Sequence, residues 1–543
     1  MSNKEIASQF NELACLMELH DENQFKIKSY TNAYLNIKKL DQDLLTLSLE
    51  ELQTIPGIGK SVAEKIVEIK QQGLIHQLSQ MRSKTPPGIV QMISIRGLGP
   101  KKIKQIWKEL EIETPGELLY ACEENRLIEL KGFGPKIQND VKESILFFQS
   151  RQDSFLLSTL WTPAEQLLQE LRQLNPDVQI EFTSALRTYS PVVETIELIC
   201  NSHSISLPDS IQLLTSEPNQ ILGKLHDQFP VSIKLCSTQD FIYQWILTTG
   251  GSSVDSIKHS SYKTEHEAFE ASGQLFVPAE CRHLESSQPI IETELITGQD
   301  IKGVIHAHSV YSDGLYNLRD MAKECIRLNY QYLVITDHSK SAFYANGLKE
   351  DRLLDQWNEI EILNKEFAPF KIFKSIESDI LSDGSLDYPT EILARFDLVI
   401  ASIHSNLKMN KEKAMERMLN AVRNPYTTML GHPTGRLLLS RKGYELDHEL
   451  LISECARYAV DIEINANPLR LDLDWTWIPL CQQHNVKLSI NPDAHNLKGI
   501  QDIQWGVRTA RRGGLLSKNC VNSLSLSDFE SYVNVKKARL KNH

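Results

Sequence analysis

The second half of the chain alternates short apolar runs with amphipathic stretches. Seven runs recur between Gly303 and His495: GVIHAH, YLVITDH, KIFKSIE, LVIASIH, TMLGH, VDIEIN and KLSINPDAH. Each is too short for a helix and too continuously apolar for a half-exposed strand, so each predicts a strand buried on both faces. Helical periodicity fills the gaps, and strands alternating with helices predict a β/α barrel. Each run ends in a potential metal ligand. In a barrel those ends gather on the C-terminal face, where sites are built. Imidazoles and carboxylates collected there predict bound metal ions and hydrolytic chemistry.

The first half has a different pattern. Residues 1–80 read as mostly helical, with near-3.6 periodicity in ASQFNELACLMELH, and 85–150 as further short helices. Three segments resemble one another: IPGIGKSVAEKI (55–66), IRGLGPKKIKQI (95–106) and LKGFGPKIQNDV (130–141). Each has apolar-x-Gly-apolar-Gly before an amphipathic helix. The glycines permit a tight turn that presents backbone N–H groups at the helix start, where the helix dipole favours a phosphate. Gly57, Gly59, Gly97, Gly99, Gly132 and Gly134, with Lys60, Lys101, Lys102 and Lys136 beside them, predict DNA binding that reads no bases. In 155–240, LLQELRQL predicts a helix, and VQIEFTSAL, TIELICN and VSIKLCS predict strands. Residues 241–296 read as a small mixed domain that ends in a linker, LESSQPIIETELITGQD.

Charge sharpens this division. The net charge is −12, yet residues 1–150 carry 19 Lys+Arg against 20 Asp+Glu. Arg82, Lys84, Arg96, Lys101, Lys102, Lys104 and Lys108 form a stretch with no acid among them, an electrostatic footprint for nucleic acid. Nine scattered cysteines with no C-x-x-C pair argue against a disulfide framework or zinc ribbon and fit a reducing cytoplasm. No signal peptide or membrane-length apolar run is expected, and no membrane partner.

The order of these features resembles the bacterial family X DNA polymerases that carry a C-terminal PHP (polymerase and histidinol phosphatase) domain. The resemblance implies a multidomain protein: a lyase-like helical domain (1–80), a fingers-like helix-hairpin-helix domain (81–150), an α+β nucleotidyltransferase-like palm (151–240), a thumb-like domain and linker (241–296) and a seven-stranded PHP β/α barrel (299–543). It implies nine metal ligands in the barrel: His306, His308, Asp313, His338, Glu377, His404, His432, Asp493 and His495. Two to three divalent ions (Mn, Zn or Fe) suit this mix of nitrogen and oxygen donors. Asp337 and Glu463 are expected to orient histidines, and Arg436 and Arg470 to contact substrate phosphate. Lys65 in GIGKSVAEK falls at the family's lyase nucleophile.

The palm departs from the family pattern. TSALR (183–187) stands where the family has Gly-Ser. Glu194 and Ile196 fall where Asp-x-Asp is expected, and VSIKLCS offers Ser232 or Lys234 in place of a third acid. Two metals need carboxylates on one strand face, so nucleotide transfer is expected to be lost. The reading is a DNA-binding 3′–5′ exonuclease in DNA repair, acting on gapped or primer-template DNA, with abasic-site cutting as a further activity. The competing readings are an active proofreading polymerase, a small-molecule phosphatase and a non-catalytic DNA-binding scaffold.

Overall fold

The computed structural model describes residues 1–95, 97–128, 130–149, 152–251, 254–284 and 290–539. The chain divides into two compact units: Met1–Cys122 with Leu127–Phe148, and Glu123–Arg126 with Gln149–His543.

The first unit is helical. Its opening helix, Asn3–Leu19, starts at a Ser2–Glu5 capping box and packs Ile6, Phe10, Leu13 and Met17 inward at helical spacing. In each of the three glycine segments the backbone makes the same turn. Ile58 N–H donates to Ile55 O (3.0 Å), Leu98 N–H to Ile95 O (3.3 Å) and Phe133 N–H to Leu130 O (3.0 Å). Gly57, Gly97 and Gly132 occupy the left-handed position of these turns, at φ +88°, +87° and +87°. A side chain there would be strained, which is why glycine recurs. Helices Lys60–Gln72, Pro100–Leu110 and Pro135–Gln149 follow directly.

The second unit holds two large sheets. A short antiparallel pair, β1 (Phe155–Leu156) with β3 (Val192–Val193), flanks helix Leu157–Leu174. The mixed sheet contains β2 (Ile180–Phe182), β4 (Ile196–Cys200), β5 (Ile211–Glu217), β6 (Gln220–Leu225) and β7 (Phe229–Leu235), in the order β2-β4-β7-β6-β5. The three predicted strands are β2, β4 and β7. The β5–β6 hairpin is an addition, because β5 is exposed at every position after Ile211 and its sequence IQLLTSE does not keep an apolar–polar alternation. The stretch read as a linker also differs in its second half. Leu295 and Ile296 are buried, and Ile296 N–H donates to Leu515 O (2.9 Å), so this part packs on the barrel.

All seven predicted barrel strands form: β8 (Gly303–Ile305), β9 (Tyr332–Ile335), β10 (Lys371–Asp379), β11 (Leu398–Ser402), β12 (Met429–Leu430), β13 (Asp461–Asn465) and β14 (Leu488–Asn491). They are parallel and ordered as in sequence. A parallel bridge from Ala307 to Ala494 brings the last strand back to the first, and His308 N–H donates to Ala494 O (2.9 Å). β9, β11, β13 and β14 are buried at every position, as parallel strands covered on both faces must be. Amphipathic crossovers such as Leu318–Arg327 turn Leu318, Met321, Ala322 and Cys325 inward.

Candidate metal centre and nucleic-acid interface

The barrel places all nine expected ligands together at the C-terminal ends of its strands. Glu377, near the end of β10, is the hub. Its Oε1 lies 2.9 Å from His432 Nε2, 3.2 Å from His404 Nε2 and 3.3 Å from His306 Nε2, and its Oε2 lies 3.0 Å from His338 Nδ1. Asp313, in the loop after β8, lies 3.4 Å from both His338 Nε2 and His495 Nε2. Asp493 Oδ1 is 3.1 Å from His308 Nε2 and 3.4 Å from His306 Nε2. Three sets of donor atoms converge closely enough to hold an ion: His308, Asp313, His338 and His495; His306, His308 and Asp493; His338, Glu377 and His404. Among the described residues, every such group lies in the barrel.

Burial makes this clustering chemically pointed. Seven of the nine are under 9 % exposed, and the side chains of Asp313 and His404 are each 7 % exposed. Buried polar atoms are normally satisfied. Here His306 Nε2, His308 Nδ1, both nitrogens of His338, Asp313 Oδ2, Glu377 Oε2, His432 Nδ1 and His495 Nε2 lack a well-formed hydrogen bond. Donor atoms left bare at one point fit divalent cations, and the nitrogen and oxygen mixture suits Zn²⁺, Mn²⁺ or Fe. His306, His432 and Asp493 also adopt left-handed backbone conformations, at φ +67°, +25° and +52°. Non-glycine residues rarely do so unless the surroundings enforce it, as at functional sites.

Burial disfavours charge on Asp313, Glu377, Asp493, His308, His404 and His495, and facing charges outweigh it at all but His308. The carboxyls of Asp313, Glu377 and Asp493 are held well below the usual range by facing histidines. Burial would lower His404 and His495, yet Glu377 and Asp379 for the first, and Asp313 for the second, raise each to about 9. Burial and the neighbouring His495 and His338 depress His308 to about 4.

Supporting residues orient the ligands. Glu463 behaves as expected. Its carboxylate lies 2.6 Å from His306 Nδ1 and accepts from His432 N–H (3.1 Å), Asn465 (2.9 Å) and Asn491 (2.8 Å). Asp337 acts differently from the expectation. It holds no histidine and instead accepts from the backbone and hydroxyls of Ser309 and Ser312 and from Gln356, fixing the turn that carries Asp313. Sequence reasoning overlooked Asp379, whose Oδ1 lies 2.5 Å from His404 Nδ1. Its spacing of two from Glu377 on one strand was the available signal. It also overlooked Arg417, 1 % exposed, whose guanidinium donates to Ile380 O, Leu381 O and Ser405 O and ties together the loops after β10 and β11. Arg436, in the segment after β12, is engaged by Asp474 and the carbonyls of Arg470 and Leu471 in the segment after β13, and Arg470 is 4 % exposed.

Among the described residues, the palm region lacks a comparable cluster. Glu194 lies outside β4. Glu197 pairs in register with Ser232 of β7, and Ile199 with Lys234. Burial raises the Glu197 carboxyl, with Ser184 and Glu194 as weaker influences. TSALR forms a turn of helix, and Arg187 donates to Glu265 (2.6 Å) and Thr249 (2.6 Å) beneath Trp245. Ser252 and Ser253 of the TTGGSS segment lie outside the described residues.

In the first unit the hairpin cradles are open. A Cβ built on Gly59, Gly97, Gly99, Gly132 or Gly134 would meet no atom within 4 Å. Lys60, Lys101 and Lys136 are exposed, and Lys102 Nζ stands 5.6 Å over the Phe133 ring, joining the second and third hairpins. Of the basic stretch, Arg82 pairs with Glu12 and Lys104 with Asp21, while Arg96 lies outside the described residues. Lys65 is 9 % exposed, with its Nζ 5.7 Å over the Tyr30 ring, and burial lowers its pKa.

Family models match these regions. Residues 1–75 match a helix-hairpin-helix domain, and residues 89–144 a SAM-like helix-hairpin-helix tandem. A protein of Thermoanaerobacter sp. (strain X514) named as a probable phosphatase is 23 % identical over 43 % of this chain and 95 % of its own length. A similarly named protein of Acetivibrio thermocellus is 23 % identical over 44 % of this chain and 96 % of its own. The DNA polymerase/3′-5′ exonuclease PolX of Bacillus subtilis (strain 168) is 32 % identical over 98 % of this chain and 99 % of its own. With hairpins, palm and a ligand-lined barrel in one order along that whole length, the chain belongs to the PolX family of bacterial family X DNA polymerases with a C-terminal PHP domain.

Proposed function

We propose that this protein is a metal-dependent phosphodiesterase that degrades DNA from the 3′ end and no longer polymerises it. The observation that carries the reading is the convergence of nine potential ligands on the barrel's C-terminal face, seven of which present a buried donor atom without a hydrogen bond. Two to three bound cations, Mn²⁺, Zn²⁺ or Fe, would supply a hydroxide near neutral pH and neutralise charge developing on a phosphoryl oxygen. The chain's residues do the rest. Glu377, set among His306, His338, His404 and His432, would help hold the cations from the centre of the cluster. Asp379 and Glu463 fix the ring orientations of His404 and His306, and Asp337 fixes the turn bearing Asp313. Arg436, committed to Asp474, supports its loop; contact with phosphate would require breaking that pair.

The hairpins deliver the substrate, holding gapped or primer-template DNA by its phosphates without regard to sequence. Polymerase loss follows from the palm, where Glu197 lies opposite Ser232 and Ile199 opposite Lys234, positions that offer no further carboxylate. Lys65 supports a secondary abasic-site lyase role, since a half-desolvated amine over an aromatic ring has more free base for imine formation. Nine free cysteines accord with the cytoplasm, and among the described residues no helix is long and apolar enough to cross a membrane.

One denaturing gel tests the reading. A 5′-labelled primer on gapped template is incubated with the protein and Mn²⁺, with and without four dNTPs. Shortening in both lanes is expected. Lengthening with dNTPs would overturn the palm assignment, and an unchanged primer would overturn the nuclease assignment.

A further inference from the structure

The two loops that carry Asp313 and follow His338 present exposed apolar side chains. Phe343, five residues beyond His338, is 83 % exposed, and the loop after β8 adds Val310 (48 %), Leu315 (53 %) and Tyr316 (37 %). The two loops touch. Asn346 Nδ2 donates to Ser312 O (3.4 Å), and Arg352 donates to both Asn346 O (2.9 Å) and Tyr311 O. Between them they carry Asp313 and His338, two ligands of the His308, Asp313, His338 and His495 set. Tyr344, next to Phe343, has its ring 6.0 Å from His338 and 6.5 Å from His404.

The turn that presents Phe343 is firmly built. Ala342 and Ala345 on either side are buried, and Ala345 N–H donates to Ala342 O (3.0 Å). A Cβ on Gly347 would come within 1.9 Å of Ser339 O, so the loop closes tightly on its own backbone. Ser341 Oγ donates to Asp379, the carboxylate that holds His404. The ring is therefore held out in solvent by a fixed backbone beside the reacting centre. Such placement is unfavourable for an apolar side chain and serves no internal packing. Every nucleobase has a π-face, and aromatic side chains bind single strands by stacking on it without reading sequence.

We propose that Phe343 is a stacking platform for a nucleobase at the 3′ terminus of a single DNA strand, so that the site selects an unpaired, base-bearing end over a simple phosphate ester. This rests on the phosphodiesterase reading above and adds the substrate feature that the site recognises.

The test uses the full chain and two oligothymidylates, one ending in 2-aminopurine and one in a base-free tetrahydrofuran residue. With chelator present, binding should quench the 2-aminopurine fluorescence. Phe343→Ala should abolish the quench and Phe343→Trp should keep it. With Mn²⁺, Phe343→Ala should lower kcat/KM on the base-bearing end by between about fivefold and about a hundredfold, mainly through KM. The base-free end should be cut at the wild-type rate. A quench unchanged in Phe343→Ala, or an equal loss on both ends, would overturn the proposal. If wild-type protein cuts neither end, the phosphodiesterase reading fails, while the quench still decides the stacking question independently.

Discussion

Asp379 Oδ1 lies 2.5 Å from His404 Nδ1, and this contact leaves His404 Nε2 aimed at Glu377, 3.2 Å away. A carboxylate behind a ligating histidine sets its tautomer and raises its basicity, and removing such a partner costs about 10–100-fold in metal affinity or activity. Asp379→Ala is expected to fall in that range for Mn²⁺ affinity in a titration, with the far-UV spectrum unchanged. A variant with wild-type metal affinity would remove Asp379 from the mechanism.

His404→Ala should eliminate hydrolysis and leave DNA affinity within about twofold, since the hairpins and the ligand cluster belong to different compact units. Primer shortening and a binding isotherm on the same preparation check this. Parallel loss of both activities would show that the barrel supplies the DNA grip.

Binding through phosphates alone must weaken steeply with salt. Each Lys→Ala change at Lys60, Lys101 or Lys136 is expected to reduce the slope of log K against log[salt] by about one, equally for unrelated DNA sequences. Fluorescence anisotropy between low and moderate salt measures the slope. A flat response in the wild type would contradict the cradle geometry.

Glu265 sits between Arg187 (2.6 Å) and Arg282 (3.1 Å), the latter 1 % exposed. Burial alone would raise its carboxyl, but the two guanidiniums win and hold it below the ordinary value of 4.5. A depressed carboxyl contributes stability that is present above 4.5 and lost as pH falls through the folded value. Glu265→Gln should therefore destabilise by about 3–5 kcal/mol at neutral pH, because two buried cations lose their counter-charge. The gap in Tm between variant and wild type should narrow as the pH is taken below 4.5. Thermal melts across pH 3–7 decide the matter, and a gap that is constant with pH would refute the assignment.

The barrel was legible because its chemistry is strictly periodic. Parallel strands buried on both faces produce uninterrupted apolar runs, so seven strands could be placed from the pattern, and the resemblance to the PHP family then implied the nine ligand positions at and after their ends. The hairpins were legible for a related reason: a left-handed turn position admits glycine and little else, and it recurred three times at Gly57, Gly97 and Gly132. Asp379 lay within reach of the same period-two logic. Asn465 and Asn491, two residues from Glu463 and Asp493, lay within it as well. Arg417 carried no such mark, since it reaches the site from a crossover helix and only folding sets its distances. The exposed β5, whose IQLLTSE breaks the period of two, was invisible to hydrophobic alternation. Tertiary structure alone decided that Asp337 braces a turn rather than a histidine, that Arg436 is paired with Asp474, and that Phe343 stands in solvent beside the metal ligands. Local sequence governs which backbone a segment prefers; what a side chain faces depends on contacts between residues far apart in the chain.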